Sequence, residues 1–130
     1  RVLFRSQTGL YSANQATATT ALTIKGETQS VVVAKSFQTG GITLAYVAKT
    51  GNYTITANDY LIDVTANSPT ITLPTADSVA GKSYIIKNSG TGTVTVDTTS
   101  SQTIDGALTQ SFGQYTSLSV MSNGSNWIIN

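Results

Sequence analysis

From about Thr50 onward the chain reads as short runs in which apolar and polar residues alternate, separated by turn residues. Tyr53-Thr54-Ile55-Thr56-Ala57 has the period of a strand with one buried face, and Asn58-Asp59 breaks it. Tyr60 to Val64 is the next predicted strand. Asn67-Ser68-Pro69 is a turn, because proline cannot donate to a central ladder. Thr70 to Leu73 alternates again and stops at Pro74. Ala76 to Ala80 has the length of one helical turn, ended by Gly81. Lys82 to Lys87 contains Tyr84-Ile85-Ile86, a strand with both faces partly covered. Asn88-Ser89-Gly90-Thr91-Gly92 is a tight connection whose glycines permit positive φ. Thr93-Val94-Thr95-Val96-Asp97 is the clearest alternating strand. Gln102-Thr103-Ile104 leads into Asp105-Gly106, a hairpin dipeptide, followed by Ala107 to Phe112. Tyr115 to Met121 alternates, Asn123-Gly124 is a second hairpin signal, and Asn126 to Ile129 closes the series.

The first part of the chain is patterned differently. Ser12 to Thr20 is a run of small polar residues and alanine with no large anchor. Ala21 to Gly26 looks like a strand ending at a turn. Ser30 to Ala34 is apolar on both faces, and Gly40-Gly41 precedes the apolar Ile42 to Val47. Such a segment has too few large apolar residues to enclose a core and is expected to pack on the rest of the chain or on copies of itself. No long internal repeat is visible, though short β units of similar length recur. The expected organisation is an N-terminal extension, shaft or anchor over residues 1–49 and a β-domain over 50–130. Strands at this spacing predict an all-β fold: an antiparallel sandwich or barrel-like domain preceded by a thin extended β segment.

Composition sharpens this picture. Threonine is the commonest residue, and there is one Glu and one Met. Threonine, valine, isoleucine and tyrosine favour a pleated, half-buried surface, and helix formers are scarce. Charged residues make up 10% of the chain, against about 25% in ordinary domains. The net charge is +1, and Lys25, Lys35, Lys49, Lys82 and Lys87 are dispersed. Nucleic-acid binding draws on concentrated cations, so no such partner is expected. No stretch approaches the ~20 apolar residues of a membrane-spanning helix. With no Cys and no His, disulfides and His- or Cys-based metal sites are excluded. The first residue is Arg1, so the chain is expected to be a fragment or a processed product.

Candidate chemistry is thin. A serine or threonine nucleophile needs a base, and without histidine the neighbours are Lys82-Ser83 and Asp77-Ser78, whose adjacent side chains diverge along a strand. Asp59 and Asp63 fall on one strand face if that strand is regular, as a pair of glycosidase carboxylates would, with Glu27 distant in sequence. Asp97 and Asp105 could offer oxygen ligands to calcium, yet no spaced acidic loop is present and aspartate is common in turns. Tyr11, Tyr46, Tyr53, Tyr60, Tyr84, Tyr115 and Trp127 are candidates for a carbohydrate platform or for core and interface packing, and packing is favoured for Trp127 within its apolar strand. Asn52-Tyr53-Thr54 and Asn123-Gly124-Ser125 match the glycosylation pattern but read better as turns. No catalytic, cofactor-binding or metal-binding residue is assigned, and no enzymatic activity is expected.

Tyr53 to Ile62, Ile71-Thr72-Leu73-Pro74, Gly81 to Asn88, Val94 to Asp97, Ser101 to Gly106 and Ser122 to Ile129 occur in an order that resembles a module of phage virion proteins, especially tail-fibre and head-fibre or appendage proteins. The resemblance covers about Tyr53 to Asn130. It implies an extracellular, β-rich virion component that forms a homotrimer, contacts other virion proteins and mediates attachment to a host surface, for instance a glycan. A carbohydrate-binding module of a bacterial surface or secreted protein is the alternative.

Overall fold

The computed structural model describes residues 2–6, 9–13 and 40–130. The strands expected over Ala21 to Gly26 and Ser30 to Ala34, and Glu27, lie outside the described residues. The chain divides into two compact units, residues 1–40 and 41–130. In the first, β1 (Val2–Ser6) and β2 (Gly9–Ala13) pair antiparallel, with Val2 opposite Ala13 and Ser6 opposite Gly9.

The second unit is all-β apart from a short 3-10 helix at Ala76–Val79. Its strands are β3 (Tyr46–Lys49), β4 (Tyr53–Thr54), β5 (Leu61–Val64), β6 (Thr70–Thr72), β7 (Ser83–Asn88), β8 (Val94–Asp97), β9 (Thr109–Phe112), β10 (Ser117–Ser122) and β11 (Trp127–Ile129). A five-stranded sheet has the order β11-β10-β7-β5-β3, and a four-stranded sheet has the order β4-β6-β8-β9. From β3 to β8 each successive strand belongs to the other sheet. The β3-β5, β5-β7, β4-β6 and β6-β8 pairs are all parallel. The chain therefore winds as a flattened coil of three turns, closed by antiparallel β9, β10 and β11.

The sheets are thus mixed, where the alternating pattern predicted antiparallel pairing. A parallel pair needs a long crossover, which is usually a helix. Here the crossover between two parallel strands is a strand of the opposite sheet, so loops short enough for hairpins serve parallel sheets. Gly51-Asn52 and Asn67-Ser68 are corners between the sheets rather than hairpin turns.

Side chains fix one coil on the next at these corners. Asn52 Oδ1 accepts the Thr70 amide at 2.9 Å, and Asn67 Oδ1 accepts the Thr91 amide at 3.1 Å. Gly90 is required by space and not by φ: a Cβ there would lie 2.3 Å from the Ala66 carbonyl oxygen. Asn88 is buried, and its Nδ2 donates to the carbonyls of Gly92 and Phe112.

The two antiparallel turns read from the sequence are present. Asp105 and Gly106 both have positive φ between the bridged Ile104 and Ala107. Asn123 Oδ1 accepts the amides of Ser125 and Asn126 in the β10-β11 turn.

The core lies between the sheets. Ile62, Val64, Tyr84, Ile86, Val120 and Trp127 enter from the five-stranded sheet, and Ile71, Val94 and Val96 from the other. Ile55, Leu73, Ala76 and Ile104 close the ends. Trp127 is fully buried, with its ring centroid 5.7 Å from that of Tyr84. At the first coil, Lys49 Nζ sits 3.7 Å from the Tyr53 ring centroid, and the Tyr53 hydroxyl donates to Asp59. Lys49 shares its row with Val64 and Asn88, both buried, so an edge strand carries an inward-facing cation, a device that discourages further strand pairing.

Candidate interaction surface

A strand with a period of two sends alternate residues outward, and the two sheets send out different chemistry. On the four-stranded sheet the outward rows are Thr70, Thr95 and Ser111, then Thr54, Thr72, Asp97 and Thr109. Every residue in these rows carries a hydroxyl except Asp97, and Thr95 and Ser111 hydrogen-bond each other across strands at 3.2 Å.

On the five-stranded sheet one outward row is Tyr46, Leu61, Ile85 and Ser119. A second holds Ser83, Met121 and Ile128. A third holds Ala48, Asp63, Lys87 and Ser117. Tyr46 is 63% exposed. Ile42 and Leu44 are also exposed and continue its alternation toward the N-terminus. Parallel sheets ordinarily have both faces covered. Here one face holds the core and the other presents the exposed Tyr46 and Ile128 beside the half-buried Leu61, Ile85 and Met121.

Tyr115 borders this surface. It is 72% exposed and has φ 62, a left-handed backbone that a bulky side chain rarely adopts. Its amide donates to the Asn88 carbonyl at 2.7 Å, and its own carbonyl accepts from Lys87 Nζ. The turn is therefore held from both sides, with the ring projecting beside the third outward row.

The polar groups on the surface are engaged locally. Asp63 accepts the Tyr46 hydroxyl at 2.9 Å and the Ser89 hydroxyl at 2.6 Å. The hydrogen bond to Asp63 raises the Tyr46 pKa above its ordinary value, aided by residual desolvation and the nearby negative charge.

Among the described residues, those considered for catalysis are not brought together: each is engaged locally. Asp59 precedes β5 and belongs to the Thr56–Asp59 loop, so it does not share a strand face with Asp63 as a regular strand would have required. One oxygen of Asp59 accepts the Thr56 amide, the Thr56 hydroxyl and the Tyr53 hydroxyl. Burial pushes its pKa up, but these bonds and the charge of Lys49 outweigh burial and hold it below the ordinary value. Lys82 Nζ donates to the Ala57 carbonyl, and Ser78 Oγ to the Thr75 carbonyl. Asp97 accepts the Thr98 amide and Asp105 the Ile129 amide. Among the described residues no three acidic groups come together as ligands for a metal ion.

The aromatic candidates do not form one platform. Trp127 and Tyr84 pack together in the core, Tyr53 lies beneath Lys49, Tyr60 is half-buried just before β5, Tyr11 falls in β2, and Tyr46 and Tyr115 stand exposed beside the five-stranded sheet. Asn52 and Asn123 are turn residues engaged with backbone amides.

The sequence marked Tyr84-Ile85-Ile86 as partly covered on both faces, but not the apolar surface that β5, β7 and β10 form together. Its signal is that Ile85 and Leu61 are large apolar residues directly beside the inward Ile86 and Ile62, so apolar residues occupy both faces of β5 and β7.

No protein-family model, curated protein or solved structure matches this chain. The described residues are all-β apart from one short 3-10 helix, and no helix among them is long and apolar enough to cross a membrane.

Proposed function

We propose that this chain is a structural component of a phage virion, part of an oligomeric fibre, appendage or capsid-decorating spike that takes part in attachment to a host surface. The observation that carries this reading is the apolar outer face of the five-stranded sheet, where Tyr46 and Ile128 are exposed and Leu61, Ile85 and Met121 are only half-buried. The order of motifs from Tyr53 to Asn130 supports the virion assignment, and the low charge suits a protein whose surface is shared with sister subunits. The mechanism is mechanical and multivalent: coiled strands and inter-subunit contacts resist unfolding, and several weak sites on one assembly add by avidity. A homo-oligomer in contact with other virion proteins is the expected form.

Light scattering on the full chain at micromolar concentration tests the reading. A mass that is a multiple of the monomer supports it, and a stable, folded monomer contradicts it. The alternative, a carbohydrate-binding module, draws support from the exposed Tyr46 and Tyr115 rings. Selective retention of one sugar class on a glycan array by the monomeric chain would favour that alternative.

A further inference from the structure

We propose that the outer face of the five-stranded sheet is a homotypic contact surface, on which a second copy of this chain lays the same face. This rests on the assembly reading above and assigns it a place on the molecule. The occupant follows from the chemistry of the face. Its rows carry one anion and one cation, Asp63 and Lys87, directly opposite each other in the β5-β7 register. A face with one charge of each sign, side by side, is complementary to itself under a two-fold rotation, and an isologous contact has that requirement. Such a rotation brings Asp63 toward the partner's Lys87. Both side chains retain capacity for it: Lys87 Nζ has three donors, one of them used on the Tyr115 carbonyl, and each Asp63 oxygen accepts a single hydroxyl.

Other partners fit less well. A nucleic acid calls for clustered cations, and the face is neutral. A sugar calls for stacked aromatic rings with polar groups between them, and the centre of this face is Leu61, Ile85 and Met121. A flat aliphatic centre with a tyrosine on the rim matches the anatomy of a protein contact, in which an apolar middle is bordered by aromatic and polar residues. Tyr115 supplies that rim residue in a strained turn. Tyrosine also brings large contact area at low entropic cost.

Area sets the expected strength. Five strands about 4.8 Å apart and about five residues long span roughly 24 Å by 17 Å, a flat area of about 400 Å² before Ile42, Leu44 and Tyr115 are added. Burying that on both copies falls near the ~1,000 Å² that separates specific interfaces from incidental ones. The contact is therefore expected to depend on concentration.

Sedimentation of the full chain over a rising concentration series tests this. The wild type should shift to a multiple of 13.6 kDa. Ile85→Lys and Tyr115→Ala should each remain at the monomer mass with an unchanged far-UV circular dichroism spectrum, whereas Thr95→Lys on the other sheet should assemble as the wild type does. Tyr115→Ala carries the test if Ile85→Lys fails to fold, because Tyr115 lies outside the core. If the folded variants assemble like the wild type, the assembly reading stands and this face is not the contact. Dissociation by Thr95→Lys alone would move the contact to the four-stranded sheet. A wild type that stays monomeric throughout would overturn the surface and the assembly reading together.

Discussion

The two sheets share one core yet turn opposite chemistry to the outside. Beyond the four-stranded sheet lie hydroxyls, from Thr54 and Thr72 to Thr95 and Ser111, a surface satisfied by water. Beyond the five-stranded sheet lie Tyr46, Leu61, Ile85, Met121 and Ile128. Both sheets contain parallel strands joined by the same coil, so coil geometry does not explain the difference. It comes from the residues at alternate positions: threonine flanks or separates the buried residues in Thr70-Ile71-Thr72 and Val94-Thr95-Val96, whereas Leu61-Ile62 and Ile85-Ile86 place large apolar side chains on both faces. One sheet is finished as a polar surface, and the other carries large apolar side chains on both faces.

The largest expected effect removes the comparison altogether. Trp127 is fully buried against Tyr84, so Trp127→Ala should cost about 3–5 kcal/mol and expose both sheets in one transition, read as a fall in the urea midpoint. Separate transitions for the two sheets would show that they do not share a core. Next comes the exchange of surfaces. Ile85→Thr should leave the fold intact and raise the concentration needed for assembly, while Thr95→Val should leave assembly unchanged or add a second, weaker contact. Sedimentation of the two variants side by side decides this.

A smaller effect concerns the corner that stacks the second coil on the third. Asn67→Ala leaves the Thr91 amide and hydroxyl without their acceptor and should cost about 1 kcal/mol in chemical unfolding, since the corner is open to water. The smallest is at acid pH. Because the folded-state pKa of Asp59 is depressed, its contribution is present above the unfolded carboxylate value and is lost as pH falls through the lower, folded value. The urea midpoint should therefore drop below about pH 4, and Asp59→Asn should flatten that limb. At the alkaline end the sign reverses. Tyr53 is raised by burial and by its bond to Asp59, and Tyr84 by burial and the Asp59 charge. Their contributions hold below the ordinary tyrosine value and fade as pH rises past the raised ones.

The alternating runs made the strands legible. The runs around Leu61, Thr70, Ser83, Val94 and Trp127 fall where the pattern placed strands, with ends shifted by a residue or two, and the helical turn at Ala76–Val79 is present. Asp105-Gly106 and Asn123-Gly124 form the turns their chemistry dictates. Pairing was not legible, because alternation is the same for parallel and antiparallel neighbours, and because corners between sheets use the same Gly, Asn and Ser as hairpins. A weak internal correspondence did carry it: Lys49-Thr50-Gly51-Asn52 aligns with Val64-Thr65-Ala66-Asn67 once β3 and β5 are placed in register. Ile42 to Val47 was given no element from its pattern. Its apolar residues mark an exposed surface at Ile42, Leu44 and Tyr46, and the ladder begins only at Tyr46. The surface was obscured because an apolar residue is ordinarily assigned to the core, and only the register shows that Leu61 and Ile85 face away from it.

The chain has no cysteine, so a single introduced thiol can report on either face without interference. The most direct test is the rate of maleimide labelling of Ile85→Cys and Thr95→Cys at a concentration where the wild type is assembled. The account predicts slow labelling at position 85 that accelerates on dilution, and rapid labelling at position 95 independent of concentration. Equal and concentration-independent rates at both positions would contradict it.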